Sequence, residues 1–147
     1  MSIASPPLSA ASLVGVPVRF HGSRLGRVSD LLVDVHRWVV VGFLVACGDD
    51  AERFLPFAAS QPDADEIAVG SPLMLLDDPG FYRARAASFE ALAGGDVVRM
   101  RHHAGRLADL VVARTGAVDE LEIDDDGMRR RVPAEGSLIS PPTASAA

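Results

Sequence analysis

The sequence predicts a mainly β protein: two small barrel-like units, formed by an internal repeat, joined by a short helical linker and packed together. Three observations lead to this fold. Short apolar runs alternate with turn residues about every 8–12 positions, only one helical pattern is present, and one segment recurs further along the chain. The second unit spans only about 50 residues, a size at which a separate core is marginal, so we expect packed halves.

The first unit, residues 12–78, is predicted to consist of short strands. A brief strand at Pro17–Phe20 leads into a hairpin turn at His21–Arg24, in which Gly22 supplies a positive φ. The apolar positions after this turn lose their strict alternation near Asp30, which indicates a bulge there. Further strands are predicted at Gly26–Val35, Val39–Cys47, Glu52–Phe57, Ile67–Val69 and Pro72–Leu76.

The linker and the tails are predicted from composition and from helix-breaking residues. The linker, residues 79–91, contains the helical pattern Tyr82–Leu92, which a pair of glycines ends. The second unit covers residues 92–139. Both ends of the chain, residues 1–11 and 140–147, are rich in Ser, Pro and Ala, so we expect disordered tails there.

The repeat is visible without gaps over the first two strands of each unit. A shift of 79 residues places Leu13–Val33 on Leu92–Val112, and eight of these 21 residues are identical. Further along, the shift becomes 77, so that Val41 matches Val118. Two copies indicate the duplication of one unit rather than a solenoid.

The repeated motif has a recognisable order. It reads Leu-x-Gly-x-x-Val, then Gly-Arg-Val-x-Asp-Leu-Leu-Val-Asp, then an apolar strand and Arg-Phe-Leu-Pro-Phe. This order resembles the PRC-barrel family, from Leu13 to Phe57 with a closing strand to Leu76, and again in a shorter copy from Leu92 to Pro133. The resemblance, to a tandem bacterial member, implies small β-barrels that act as docking or regulatory modules. Family members occur in a reaction-centre subunit and in a ribosome-maturation factor.

Composition excludes several classes of function. Twenty acidic residues stand against 14 basic ones, all of them Arg, and the net charge of −6 argues against a general nucleic-acid binder. One Cys excludes an intramolecular disulfide framework and a multi-Cys zinc site, and it suits a reducing cytoplasm. The longest apolar run, Trp38–Gly48, is about half the ~20 residues of a membrane helix. We therefore predict a cytoplasmic protein with no cofactor, no metal and no membrane insertion.

Six residues at matched positions of the repeat are predicted to serve architecture. They are Gly26, Arg27, Asp30, Gly105, Arg106 and Asp109. The two glycines allow a close backbone approach or an unusual φ at a barrel corner. The two aspartates stand inside strands, where Asp is unfavourable, so each needs a specific partner. The matched arginine or backbone N–H groups at a bulge are the candidates.

Candidate binding residues come from the aromatic positions and the basic cluster. They are Trp38, Phe81, Tyr82, Arg99, Arg101 and Arg106. Trp38 opens the most apolar strand, where it either packs at the barrel end or anchors a partner. The segment Arg99–Arg106 is the basic cluster and includes His102 and His103, which the repeat places in a hairpin turn. Solvation, contact with an anion or RNA phosphate, and metal binding are the alternatives for this cluster.

The acidic run Asp119–Gly127 has two interpretations. A calcium loop is one, but Pro133 would stand where a bidentate Glu is required. An exposed hairpin is the other, with a two-residue turn at Asp126–Gly127. That turn sets a register in which Asp124 faces Arg129 and Glu122 faces Arg131. We favour the hairpin.

The function predicted from these observations is a non-enzymatic module that docks to another protein through strand edges, Trp38 or the linker aromatics. No Ser/His/Asp order, phosphate loop or Cys-x-x-Cys motif provides catalytic apparatus. One alternative is an RNA- or ribosome-associated assembly factor that uses Arg99, Arg101 and Arg106. Another is a small-ligand or metal-ion-linked regulatory domain. The protein partner stays unidentified, and assembly into a homo-oligomer is left open.

Overall fold

The computed structural model of the chain describes residues 6–142, and they confirm the predicted mainly β fold. The strands are β1 (Leu8–Ser9), β2 (Pro17–Phe20), β3 (Ser23–Asp34), β4 (Val39–Cys47), β5 (Glu52–Pro56), β6 (Ser60–Pro62), β7 (Ile67–Val69), β8 (Ala87–Ser88), β9 (Asp96–Arg99), β10 (His102–Val112), β11 (Val118–Asp125), β12 (Met128–Pro133) and β13 (Ser137–Ser140). The helices are α1 (Ala10–Leu13), α2 (Pro79–Arg83) and α3 (Phe89–Leu92), and 3₁₀ turns lie at Phe57–Ala59 and Pro72–Met74.

The two sheets share one strand order over four consecutive strands. The first sheet runs β5-β4-β3-β2-β7-β6, and β8 also pairs with β3. The second sheet runs β12-β11-β10-β9-β13, and β1 also pairs with β10. The pair β2–β7 is parallel and the other strand pairs are antiparallel. Each sheet thus receives one short strand from the segment that precedes the other sheet.

A long hairpin forms the centre of each sheet, β3 with β4 and β10 with β11. Leu and β-branched residues fill most of the inward positions, since they pack well on a pleated surface. The register shifts between Val28 and Asp30, and again between Leu107 and Asp109. Such a shift is a β-bulge, which bends a strand and redirects a side chain. The bulge predicted near Asp30 is confirmed.

Both sheets bury their inner faces in one apolar core. Its fully buried side chains include Leu31 and Phe43 from the first sheet and Leu110 and Leu121 from the second. Each such side chain contributes about 1.5–3 kcal/mol by leaving water. The sheets therefore stabilise each other through a shared interior.

Backbone hydrogen bonds also join the two sheets. The N–H of Val40 donates to the carbonyl of Gly116, at 2.8 Å. The N–H of Val118 donates to the carbonyl of Trp38, also at 2.8 Å. The turn that follows β3 is thus paired with the turn that follows β10.

The second sheet is curled. Its edge strands, β12 and β13, lie at opposite ends of the strand order, yet only residues 134–136 connect them. Three residues span at most about 14 Å, whereas the edges of a flat five-stranded sheet lie about 19 Å apart. Ser137 closes this link, donating its N–H to Ala134 and its hydroxyl to Pro133. In the first sheet, Phe57–Ala59 makes the equivalent connection between β5 and β6.

The predicted helix at Tyr82–Leu92 is wrong. Two short helices, α2 and α3, stand there with β8 between them. Helix α2 begins at Pro79, where the side chain of Asp78 accepts the N–H of Phe81. Helix α3 begins after Ser88, whose backbone is extended because β8 pairs with β3. Tertiary pairing therefore breaks the helical pattern.

The predicted strand at Pro72–Leu76 is also wrong for most of its length. Pro72 favours the first position of a helical turn, and the hydroxyl of Ser71 accepts the N–H of Leu73, so a 3₁₀ turn forms. Leu76 alone makes a β-bridge, with Phe54.

The expected tails are shorter than the sequence indicates. Leu8–Ala11 forms β1 and the start of α1, because Leu8 and Ala10 are buried against the second sheet. At the other end, Ser140 belongs to β13. Of the other expected tail residues, 6–7 and 141–142 have no regular secondary structure, and 1–5 and 143–147 lie outside the described residues.

The alignment of the repeat needs a correction in the second strand of each hairpin. Val33 pairs with Val40, and Val112 pairs with Val118. Val40 therefore stands where Val118 stands, so matching Val41 with Val118 is wrong by one position. Val41 instead packs on the outer face of the first sheet.

Two matched glycines mark places where strands approach closely. A Cβ on Gly26 would lie 2.5 Å from the carbonyl oxygen of Ala46 on β4. A Cβ on Gly105, which has φ +153°, would lie 2.8 Å from the carbonyl oxygen of Asp124 on β11. Both distances are shorter than real Cβ contacts, so the neighbouring backbone would have to move.

Replacing Gly26 by Ala should lower the free energy of unfolding by about 2 kcal/mol, because the methyl group overpacks against β4. Gly48→Ala is the matched control, since no atom lies within 4 Å of a Cβ built there. Urea unfolding followed by Trp38 fluorescence measures both variants. Equal stabilities would contradict the close approach.

Candidate functional site

The two matched aspartates cap helices that arrive from the other half of the chain. Asp30 accepts the hydroxyl of Ser88 and, at 3.1 Å, the backbone N–H two residues beyond it. Asp109 accepts the hydroxyl of Ser9 and, at 2.9 Å, the backbone N–H two residues beyond it. Each carboxylate also accepts the N–H of the next residue in its own bulge, at 2.8 and 2.7 Å. All these groups are hydrogen-bond donors, and the carboxylate oxygens accept from each of them.

These contacts are reciprocal. We name Leu8–Leu13 and Ala87–Leu92 the entry segments, because each leads into one sheet. The entry segment of the first sheet is capped by Asp109 of the second sheet, and the other is capped by Asp30 of the first. In both segments the serine hydroxyl caps its own helix as well. The matched aspartates therefore hold the two sheets together.

The matched arginines do not partner these aspartates. Arg27 donates to the carbonyl of Gly15 at 3.0 Å. Arg106 is exposed and lines a hollow with His103 and the acidic turn after β11. Of the two candidate partners named by the sequence, backbone N–H groups at the bulge are the ones that bind the carboxylates. A hollow of about 290 Å³ opens beside Asp30, whose two oxygens are already engaged.

Trp38 lies in a cleft of about 680 Å³ where the two sheets meet. The turn after β3, the start of β11 and the turn before β13 line this cleft. Trp38 is only 7% exposed and packs in the shared core, whereas Leu138 at the cleft rim is 72% exposed. Trp38 has φ +52°, an unfavourable value for a bulky residue, which its packing and its carbonyl hydrogen bond maintain. The structure thus places Trp38 in a packing position.

Asp34 shapes the turn that leads to Trp38. Its Oδ1 accepts the N–H of Arg37 at 3.1 Å and the N–H of His36 at 2.9 Å. The pKa of Asp34 is lowered, first by the hydrogen bond from Arg37 and further by that from His36, although burial opposes the shift. The ionised carboxylate therefore stabilises this side of the cleft.

The basic cluster does not form one surface. The guanidinium of Arg99 binds the carbonyls of Pro133 and Glu135, at 2.6 and 2.9 Å, so it serves the link between β12 and β13. Arg101 lies at the tip of the β9–β10 hairpin, with φ +66°. The turn is formed by Met100 and Arg101, two residues before the predicted His102 and His103, because β10 already begins at His102. Phosphate binding by the whole cluster has no support in this arrangement.

The linker aromatics have different environments. Tyr82 stacks on Phe54 with ring centroids 3.8 Å apart and covers the outer face of the first sheet. Phe81 is exposed, and the guanidinium of Arg85 lies 3.6 Å from its ring centroid. Tyr82 is therefore a structural residue, and Phe81 is an exposed ring that contacts Arg85 and forms a T-shaped pair with Tyr82.

The acidic run forms the predicted hairpin, β11 with β12. Its turn is Asp126–Gly127, with φ of +51° and +87°. The predicted register is confirmed, with Asp124 opposite Arg129 and Glu122 opposite Arg131. The ion pairs differ from the register, because Glu122 contacts Arg129 at 3.0 Å and Arg131 at 3.8 Å. Asp124 instead accepts the N–H of the turn glycine at 2.8 Å.

The outer side of β12 is an open sheet edge. In a two-residue hairpin the pair that flanks the turn is hydrogen-bonded, and every second residue turns its backbone groups outward. Met128 flanks the turn, so the N–H and C=O groups of Arg129 and Arg131 point away from β11. Among residues 6–142, no strand pairs with this side of β12. We name this side of Met128–Pro133 the open edge.

The corresponding edge of the first sheet is covered by the chain itself. Strand β5 stands beside β4 as β12 stands beside β11. Phe54 donates its N–H to Leu76 at 2.9 Å and accepts the N–H of Leu76 at 2.8 Å. We name residues 75–78, Leu-Leu-Asp-Asp, the covering segment. Phe54 pairs with Leu44 in the first sheet, and Arg131 pairs with Glu122 at the equivalent place in the second. The covered site is therefore apolar, and the equivalent open site is charged.

The sequence predicts docking through strand edges, but sequence reasoning missed which edge stays open. The run Arg129–Arg131 is visible in the sequence, and it served there only to set a hairpin register. A run of basic residues in a predicted last hairpin strand is a usable signal, since edge strands often carry basic side chains. Whether another segment covers the strand depends on long-range pairing, which the local pattern does not contain.

No protein-family model matches this chain, and the search of curated proteins found no match.

Two further searches concern ions and membranes. Within residues 6–142, no three His, Cys, Asp or Glu side chains converge in a way that holds a metal ion. None of the described helices is long and apolar enough to cross a membrane.

Removing the Asp30 carboxylate should lower the free energy of unfolding by about 3 kcal/mol, because buried N–H and hydroxyl donors lose their acceptor. Asp65→Ala, at an exposed position, is the control for Asp30→Ala in urea unfolding. A cycle with Ser88→Ala should give a coupling of about 1–2 kcal/mol. An additive cycle would rule out the direct contact.

Asp34→Ala should lower the free energy of unfolding by about 1 kcal/mol at pH 7, because two turn N–H groups lose their acceptor. The folded pKa is lowered, so this contribution is complete above the unfolded value near 3.8 and is lost as the pH falls through the folded value. Urea unfolding at pH 7 and pH 2 measures it, with Asp65→Ala as control. A wild-type-to-variant difference that does not shrink at pH 2 would contradict the role of the ionised form.

Proposed function

We propose that this chain is a tandem pair of PRC-barrel-like units that acts as a non-enzymatic docking module for another protein. The repeated Gly-Arg-x-x-Asp motif supports the family. So do the shared strand order and the matched capping by Asp30 and Asp109. The two aspartates have architectural partners within the fold. A single Cys suits work in the cytoplasm.

The open edge is the observation that carries the docking role. Unpaired backbone groups on an edge strand are a template for an additional strand, and strand addition is a recurrent way of binding extended peptides. Arg129 and Arg131 present such groups outward. The equivalent position on β5 is filled by Leu76, so this sheet geometry accepts one more strand. Docking through β12 requires no rearrangement of the core.

The test is site-specific photo-crosslinking in the native cell. A photoreactive benzoylphenylalanine replaces Met128, which is 73% exposed beside the open edge, and Leu73, which is 86% exposed elsewhere, is replaced as control. We expect a defined protein adduct at Met128 and none at Leu73. Adding Arg131→Pro, which removes an outward N–H, should weaken the adduct about fivefold. Equal labelling at both sites would exclude docking through this edge.

A further inference from the structure

We infer that the partner of the open edge is an extended protein segment that carries acidic residues. The inference rests on the proposed docking function and specifies its partner. Its basis is the chemistry of the covering segment, which the chain itself applies to the matching edge.

The covering segment shows what this type of edge binds. Leu76 makes both backbone hydrogen bonds with Phe54 and packs on the outer face of the first sheet. The next residue, Asp77, reaches Arg53 of β5 with its carboxylate 2.9 Å from Nε. One apolar residue and one carboxylate are therefore recognised together by an edge strand and its arginine.

Arg53 is held between two carboxylates. Its Nη2 lies 2.8 Å from Asp49, in addition to the contact with Asp77. The pKa of Arg53 is raised, first by the hydrogen bond to Asp49, and the pKa of Asp49 is lowered, first by the hydrogen bond from Arg53. The acidic residue of the covering segment thus completes a charge site on β5.

Arg130 occupies the same place on β12. Arg130 pairs with Ile123 and lies two residues before the buried Val132. In the same way, Arg53 pairs with Val45 and lies two residues before the buried Leu55. Arg130 has one carboxylate of its own hairpin, Asp125, with Nε at 3.7 Å and both side chains half exposed. Its Nη2 donates to the carbonyl of Ala104 at 3.0 Å, and the half-exposed guanidinium keeps further N–H groups that can donate to a carboxylate from an incoming strand.

The charge of the open edge favours an acidic partner. Three guanidinium groups, Arg129–Arg131, share the two carboxylates Glu122 and Asp125 within ion-pair distance. Strand β12 itself carries these three positive charges in excess, because Met128–Pro133 contains no carboxylate. An incoming acidic segment gains from this excess, and charge complementarity at an exposed rim raises the association rate and the specificity more than the affinity.

The occupant is a different protein. Residues 1–5 and 143–147 contain no acidic side chain, so neither supplies this chemistry. A second copy joined β12 to β12 would set the arginine runs of Arg129–Arg131 against each other, and like charges across strands are destabilising. The covering segment itself is already paired with β5.

The probe is a fluorescent peptide with the sequence of residues 71–80, and its control carries Lys at both Asp positions. We expect saturable, salt-sensitive binding of the acidic peptide to the full chain, and binding of the Lys peptide at least tenfold weaker. Arg130→Glu should weaken the acidic peptide about tenfold, whereas Arg24→Glu, at an exposed site on β3, should leave binding unchanged. Hydrogen exchange should slow at the amides of Arg129 and Arg131.

Several results would overturn the inference. They are equal binding of the two peptides, no binding of either, equal effects of Arg130→Glu and Arg24→Glu, protection at Phe54 instead of Arg131, or a chain dimer whose interface is β12. A specific adduct at Met128 together with a failed peptide test would leave the docking role standing and reject only the acidic partner. Failure of the Met128 adduct rejects both.

Discussion

The fold depends on two carboxylates placed in bulged strands. Asp30 and Asp109 would be unfavourable in ordinary strands, but the bulge turns each toward the helix start of an entry segment. An ionised carboxylate with several donors is a strong acceptor, so each aspartate holds a serine hydroxyl and a helix N-terminus at once. Because the capped segment always comes from the other half, the sheets are joined by polar contacts at both ends of a common apolar core.

The two sheets share this plan and differ in what faces outward. On the first sheet, Leu44 and Phe54 form an apolar outer patch, which Tyr82 and Leu76 cover. On the second sheet, the equivalent pair is Glu122 and Arg131, which needs no cover. Tyr82 and Leu76 therefore cover apolar surface of the first sheet, whereas the second sheet keeps a charged outer face and, within residues 6–142, an unpaired backbone edge.

Sequence reasoning succeeds where local pattern decides structure and fails where distant segments decide it. The turn at Asp126–Gly127 and the bulge near Asp30 follow from local residue chemistry, so both were predictable. The helical pattern in Tyr82–Leu92 is overridden because Ser88 pairs with β3 and binds Asp30, 58 positions away. The apolar run before Asp77 resembles a strand, but Pro72 turns it.

The candidate site also has a part that local sequence predicts and a part that it does not. The predicted hairpin register places Arg129 and Arg131 opposite Asp124 and Glu122, and the structure confirms that register. That their outer backbone is uncovered follows from the strand order of the whole sheet, which no local pattern contains. The side-chain types of Trp38 and Arg99 predict binding residues. In the structure Trp38 is buried, and the guanidinium of Arg99 already donates to two backbone carbonyls.

The exchange of entry segments also bears on how the protein is made. A ribosome releases the chain from its N-terminus, and domains ordinarily fold as they emerge. Here the first sheet lacks β8 and its cap until Leu92 has left the exit tunnel. The strand in Leu8–Leu13 likewise cannot pair until β10 has been synthesised. A nascent chain therefore holds an unfinished first sheet until β8 is available, and the exchange of entry segments is completed only after β10 has been synthesised.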